Sequence, residues 1–253
     1  MIEVKGLHKS FGDNHVLKGV DVTFIQGKTN LIIGRSGSGK TVFLKTILGL
    51  FEPEAGKIIY GGNEVLAEMS KDRRKLLRQE IGMLFQGGAL FDSMTVAQNI
   101  RFPLDMFSAM TEHEKDQRVA FCMDRVRLQG ADSKYPSEIS GGMQKRVAIA
   151  RAISMNPKYL FCDEPNSGLD PETAIVIDQL IQELTHEFNM TTIVNTHDMN
   201  SVLEIGDHVI FMKEGHKVWE GTNDEVLGST NADVEDYVFK SKLFKQVRQA
   251  LRK

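Results

Sequence analysis

GRSGSGKT, Gly34 to Thr41, fills every position of the pattern G-x-x-x-x-G-K-[ST]. The run that leads into it, TNLIIG (Thr29–Gly34), is short and continuously apolar, the habit of a strand buried on both faces. Beyond it Phe43, Leu44, Ile47 and Leu48 recur at helical spacing. Strand, glycine-rich turn and helix thus come in the order a phosphate cradle needs. Gly34, Gly37 and Gly39 let the backbone wrap phosphate oxygens with N–H groups, and the helix N-terminus adds its positive dipole end. Lys40 can reach the β- and γ-phosphates, and the Thr41 hydroxyl can complete a Mg²⁺ shell. Arg35, Ser36, Ser38 and Val42 complete the residues expected on the nucleotide.

A second stretch, KYLFCDEP (Lys158–Pro165), ends an apolar run in adjacent carboxylates, Asp163 and Glu164. Alone, such a pair is a solvated turn. Downstream of a phosphate loop, Asp163 suits the ordering of Mg²⁺, and Glu164 can orient or deprotonate an attacking water. His197 follows the strand-like TTIVNT, so a third strand tip offers a polar group for the γ-phosphate. No Asn-Lys-x-Asp run, the guanine reader, occurs in the chain, which leaves adenine as the base and ATP as the nucleotide.

The rest of the sequence is consistent with one globular α/β domain. It has 253 residues, 41% hydrophobic and 26% charged, enough to bury a sizeable core. Cys122 and Cys162 lie far apart in apolar surroundings, which fits a reducing compartment and core packing. MIEVKGL carries no basic n-region and no apolar h-region, and nowhere do about 18 apolar residues run together. The expectation is a cytoplasmic protein unless a partner holds it at a membrane. The net charge of −3 hides a basic segment: residues 240–253 hold six Lys/Arg and no Asp/Glu, so the remainder stands at −9. An acidic body argues against nucleic acid as a partner.

Along the chain, alternation around FGDN predicts an N-terminal antiparallel β-subdomain, and strands alternating with helices predict a mainly parallel core sheet. The middle reads as helical. Thr95–Gln98 and Thr111–Glu114 are capping boxes, Pro103 is expected to end the first of these helices early, and a third helix runs from Gly142 through Ser154. Asp170 and Pro171 open a further helix, and DHVIFMKEGHKVWEG reads as a hairpin. These segments place the core in residues 1–86 and 157–230, a helical insertion in 87–156 and a basic tail in 231–253.

ISGGMQKR, Ile139–Arg146, lies between the two phosphate motifs at a helix start. With it the chain resembles the ATP-binding-cassette (ABC) ATPases, P-loop proteins with a RecA-like core, along essentially its whole length. The resemblance implies Mg²⁺ as cofactor and a second copy as partner, because this signature caps the γ-phosphate of ATP held by the other protomer. Ser140, Gly141 and Gly142 suit that task, a hydroxyl and bare N–H groups at a helix N-terminus. Met143 departs from the commonest pattern, which has glutamine there, and a thioether cannot donate to the ribose. The resemblance also makes Gln86 the residue that senses Mg²⁺ and water. Ser167, Gly168, Leu169 and Asp170 become the loop that crosses the dimer. Phe11 becomes the aromatic stacked on adenine with Val16 beside it, although Phe11 could equally be a core residue.

In this family a groove behind the glutamine loop receives a short helix of a membrane permease, so Gln86 and residues 87–100 are the expected contact. Leu90 and Phe91 either line that groove or pack inside the helical middle. MLFQGGALFDSMTVAQNIRFPL (Met83–Leu104), together with SGGM, resembles the ATPases of Mla-type (MCE-associated) lipid transporters. That implies phospholipid as cargo, an MCE-type lipid-carrying protein in the same complex and the cytoplasmic side of the inner membrane. Leu243, Phe244, Val247 and Leu251 give the basic tail an amphipathic pattern that could lie on anionic lipid or dock on a subunit. Soluble ABC machines acting on DNA or ribosomes need coiled coils or tandem cassettes, and a P-loop kinase would not need Ser140–Gly142.

Overall fold

The computed structural model describes residues 1–239; the basic segment 240–253, with its amphipathic pattern, lies outside the described residues. The chain forms two compact units, Met1–Glu68 together with the stretch from Val194 on, and Met69–Ile193.

The first unit begins with β1 (Ile2–Phe11) and β2 (Asn14–Phe24), an antiparallel pair turned at Gly12-Asp13. Ile2, Val4 and Leu7 on β1 and Leu17, Val20, Val22 and Phe24 on β2 are buried, while residues between them reach solvent. β3 (Thr29–Ile33) is buried at all five positions and runs into α1 (Lys40–Ile47). β4 (Ala55–Tyr60) and β5 (Glu64–Val65) complete a four-stranded sheet in the order β2-β1-β4-β5. This antiparallel sheet is the N-terminal subdomain that the alternation predicts.

The second unit opens with α2 (Lys71–Gln79), capped by Ser70, and β6 (Ile81–Leu84). α3 (Val96–Phe107) and α4 (Glu112–Arg125) both start at the capping boxes read from the sequence. Pro103 does not end α3, which continues through it to Phe107. A proline removes one backbone bond at a penalty of about 3 kcal/mol. Ile100 and Leu104, one turn apart around it, are fully buried. Ser108 then closes the end by donating from both N–H and Oγ to Leu104 O.

α5 (Gly141–Ile153) is the central helix of this unit, packed against α3, α4 and β6. Val147, Ala148, Ile149, Ala150 and Ile153 are all buried. Arg118 of α4 caps its far end, donating to Ile153 O and Ser154 O at 2.8 Å each. β7 (Tyr159–Asp163) pairs with β6 in parallel, and α6 (Pro171–Glu187) follows, capped by Asp170. Both cysteines are buried here, Cys122 in α4 and Cys162 in β7. Desolvation pushes the Cys122 thiol up to about 11 and raises Cys162 further.

Gly82 lies where β6 closely approaches α5. A Cβ there would lie 2.4 Å from Ala152 O, a backbone atom that cannot swing away. Gly82→Ala is expected to destabilise the protein by about 1–3 kcal/mol, the range for forced overpacking. The measurement is the denaturant midpoint, and an unchanged midpoint would contradict it.

β8 (Thr191–Asn195) ends the second unit and re-enters the first. α7 (Met199–Ile205), β9 (His208–Lys213), β10 (His216–Gly221), α8 (Asn223–Gly228) and α9 (Ala232–Val238) follow. β9 runs parallel to β3 and forms the expected hairpin with β10. Its two turn residues, Glu214 and Gly215, both have positive φ, as the tight hairpin turn demands.

Candidate nucleotide-binding site

In the first unit the loop between β3 and α1 is wedged into its surroundings. A Cβ on Gly34 would meet Met212 O at 2.3 Å and Ser38 Oγ at 2.8 Å, at a φ of 150°. A Cβ on Gly39 would lie 3.1 Å from Val16 O, which sets β2 directly against the loop. The hairpin tip supports it from the other side: Gly215 N–H donates to Ser38 O at 3.1 Å, and its carbonyl accepts from Lys18 N–H at 3.0 Å. Gly37, at the loop's tip, has nothing within 4 Å of an added Cβ.

Lys40 is buried and folds over the loop, donating from Nζ to Gly34 O at 2.8 Å and Arg35 O at 3.3 Å. No side chain caps α1, whose N-terminal turn Lys40, Thr41 and Val42 begin. Arg35 pairs with Asp236 of α9. Ser38 Oγ is buried and has no hydrogen-bond partner among the described residues. Thr41 is exposed, and its hydroxyl accepts from Asn195 Nδ2 at 3.3 Å. An orphan hydroxyl, an uncapped helix N-terminus and a buried ammonium on one loop fit a phosphate group, and the Thr41 hydroxyl fits a hard cation beside it.

His197 follows β8, exposed, and its carbonyl accepts from the Tyr237 hydroxyl at 3.4 Å. Phe11 is 46% exposed and so is not a core residue. Phe51 meets its ring edge-on at 5.3 Å between centroids, and the Lys9 ammonium lies 5.1 Å over it. Val16 is half-buried on the same hairpin. The first unit thus contains Phe11, Val16, Gly34–Val42 and His197.

The second unit holds the remaining candidates. Ser140 is exposed and caps α5, its Oγ accepting from Met143 N–H at 3.3 Å. That bond uses a lone pair and leaves the hydroxyl proton free to donate. A Cβ on Gly142 would lie 2.7 Å from the Thr173 methyl, so a side chain there would have to displace Thr173 at the start of α6. Asp163 and Glu164 are half-buried at the end of β7. Glu164 has a φ of 49°, unusual for a residue with a side chain. Ser167 N–H donates to Glu164 O at 3.1 Å, and Gln86 Nε2 donates to Ser167 Oγ at 3.3 Å. Gly168 and Leu169 complete this turn, and Asp170 accepts from Thr173 N–H and Oγ, which holds its carboxyl below the usual range. Among the described residues no three His, Cys, Asp or Glu side chains cluster as a metal site.

A groove of about 490 Å³ opens in the same unit, walled by Met83, Phe85, Phe91, Phe102, Pro103 and Phe107 among others. Phe91 lines it, whereas Leu90 is half-buried and stands outside the lining. Asn99, fully buried, fixes the turn before α3: Oδ1 accepts from Phe91 N–H, and Nδ2 donates to Phe91 O and Met94 O. Sequence reasoning missed Asn195, whose only signal is a polar residue closing an apolar strand. It also missed Lys145 and Arg151, which read as surface cations of a helix.

A family model described as ABC transporter matches residues 17–167. The probable ribonucleotide transport ATP-binding protein mkl of Mycobacterium tuberculosis is 37% identical over 237 residues, 94% of this chain and 66% of that protein. The chain thus spans about two thirds of the length of that relative. The intermembrane phospholipid transport system ATP-binding protein MlaF of Haemophilus influenzae is 37% identical over 238 residues, 94% of this chain and 90% of that one. Among solved structures, the dimeric ATP-binding cassette MJ0796 in a post-hydrolysis state, bound to ADP and Pi, superposes with a TM-score of 0.78 at 31% identity. The match covers 88% of this chain and 99% of that one. The chain belongs to the ABC transporter family, as an ATP-binding cassette that hydrolyses ATP with Mg²⁺.

Proposed function

We propose that the chain is the motor subunit of a transporter that moves lipid, phospholipid being the class favoured, through a partner permease at the bacterial inner membrane. The observation that carries this reading is the apolar groove flanked by Phe85 and Ala89, which stand on either side of Gln86 and its glycines. A groove walled by aromatic rings beside a nucleotide-sensing loop suits a short amphipathic helix. The likeness to MlaF, which extends over 90% of that protein, favours phospholipid over other cargo. No helix among the described residues is long and apolar enough to cross a membrane, so the chain would act from the cytoplasmic surface through that permease.

In this reading the chain is one cassette with a core in 1–86 and 157–230 and a helical subdomain in 87–156. Two copies close head-to-tail on two ATP molecules. Lys40 and the loop N–H groups hold the β- and γ-phosphates, and Phe11 with Val16 carries the adenine. Ser140, Gly141 and Gly142 of a second copy donate to the γ-phosphate, Met143 stands beside the ribose, and Ser167–Asp170 cross between the copies. Thr41, Asp163 and Gln86 would hold Mg²⁺, which when bound neutralises phosphate charge. Glu164 takes the proton of the attacking water, and His197 donates to the γ-phosphate. Product release reopens the pair, and Gln86 with residues 87–100 passes the motion to the permease.

The test is affinity purification of the tagged protein from mildly solubilised native membranes, with mass spectrometry of proteins and lipids. A multi-span permease together with an MCE-type protein carrying phospholipid is the expected result. A permease without the MCE protein would remove the lipid branch and leave an importer of another solute. Recovery with non-membrane partners alone, or labelled γ-phosphate moving to an added metabolite, would overturn the transport reading.

A further inference from the structure

α5 sends two cations, one buried and one half-buried, into the turn that follows β6. Lys145 is 7% exposed, and its Nζ donates to Gln86 O. Arg151 donates from Nη1 to Ala89 O at 2.8 Å and from Nη2 to Gly88 O at 2.7 Å. Its guanidinium also lies 5.7 Å from the centre of the Phe91 ring. Three of the four carbonyls from Gln86 to Ala89 therefore end on one helix.

Neither cation forms an ion pair among the described residues, and burial pulls both below their ordinary pKa. Holding a desolvated charge against neutral carbonyls is expensive, and a helix needing only to pack there could use an apolar side chain. The turn they hold is itself strained: Gly88 has a φ of 73° and Ala89 one of 49°. A left-handed alanine persists only where its surroundings fix it. Beyond the turn, Gln86 Nε2 reaches Ser167 Oγ, and Ser167 N–H reaches Glu164 O. The helix that carries Ser140 at its start thus also fixes the backbone from which Gln86 projects.

We propose that Lys145 and Arg151 are positioning residues that hold the Gln86 backbone, and through Gln86 and Ser167 the Glu164 turn, so that they set the rate of ATP hydrolysis and not the affinity for ATP. The proposal rests on the reading of Gln86 and Glu164 given above. The phosphate loop belongs to the other unit.

The experiment is steady-state ATPase kinetics of the full-length protein with MgATP. Lys145→Met keeps the bulk and removes the donor; it should lower kcat about tenfold, the scale of a charged hydrogen bond, with KM for ATP within about twofold. Lys145→Arg should restore most of the loss. In a Gln86→Ala background, Lys145→Met should add nothing further, because residues acting through one another are not additive. Multiplying losses would mean that Lys145 acts on stability alone, and the proposal would fall. Wild-type kcat in Gln86→Ala would sink the reading of Gln86 itself. A slow Gln86→Ala beside an unaffected Lys145→Met would sink only the clamp. Should Lys145→Met fail to fold, Arg151→Lys keeps the charge and loses the fork. It should lower kcat about threefold at unchanged KM by the same reasoning, and an unchanged kcat overturns the proposal.

Discussion

Glu164→Gln is expected to bind ATP normally and to turn it over about 10²–10⁴ times more slowly, the usual worth of a positioned general base. The amide matches the carboxylate in size and leaves the backbone contacts of the turn alone. Ser167 N–H bonds to the Glu164 carbonyl, not to its side chain, so the turn should survive the change. What the amide cannot do is accept the proton of an attacking water. The variant should therefore accumulate as an ATP-bound pair of chains, visible as a dimer by light scattering with MgATP and absent with ADP. Hydrolysis at the wild-type rate would remove Glu164 from the mechanism, and ATP binding without dimer formation would remove the head-to-tail arrangement.

Gly34→Ala should abolish useful nucleotide binding. The added methyl would sit 2.3 Å from Met212 O and 2.8 Å from Ser38 Oγ, and the φ of 150° is one that alanine rarely adopts. Ser38 Oγ could move, but Met212 belongs to β9, which is hydrogen-bonded to β3 on one side and β10 on the other. The loop must shift instead, and a displacement of about 1 Å among phosphate-binding N–H groups is worth about 10²-fold. Calorimetric titration with ATP and ADP should show both affinities falling together, since the loop binds what the two share. A folded Gly34→Ala protein with wild-type affinities would show that this loop is not the cradle.

The two predictions draw on the parts of the molecule that were plainest in the sequence. Gly34–Thr41 was legible because the chemistry needs fixed residue types at fixed spacing, and α3 and α4 because Thr95–Gln98 and Thr111–Glu114 satisfy their own first turns. Local rules failed where a distant neighbour decided the outcome. Pro103 reads as a stop, and α3 passes through it because Ile100 and Leu104 are buried on either side. α2, KDRRKLLRQ, buries only Leu77 and leaves almost no apolar period to read. Phe11 could not be sorted into core or surface until Phe51 and Lys9 were placed around it. Lys145 and Arg151 look solvated in any helical wheel, and only the fold shows that their targets are backbone carbonyls some sixty residues away in sequence.

The burial of Cys122 and Cys162 gives the second unit a chemical silence. Nucleophilic attack on peroxides, alkylating agents or foreign disulfides requires a thiolate, and both thiols are held protonated and out of contact with solvent. Neither can be oxidised while α4 and β7 stay in place, so an oxidant reaches these two thiols only in molecules that have already opened. Damage of that kind would count the openings of the second unit and leave the folded population intact.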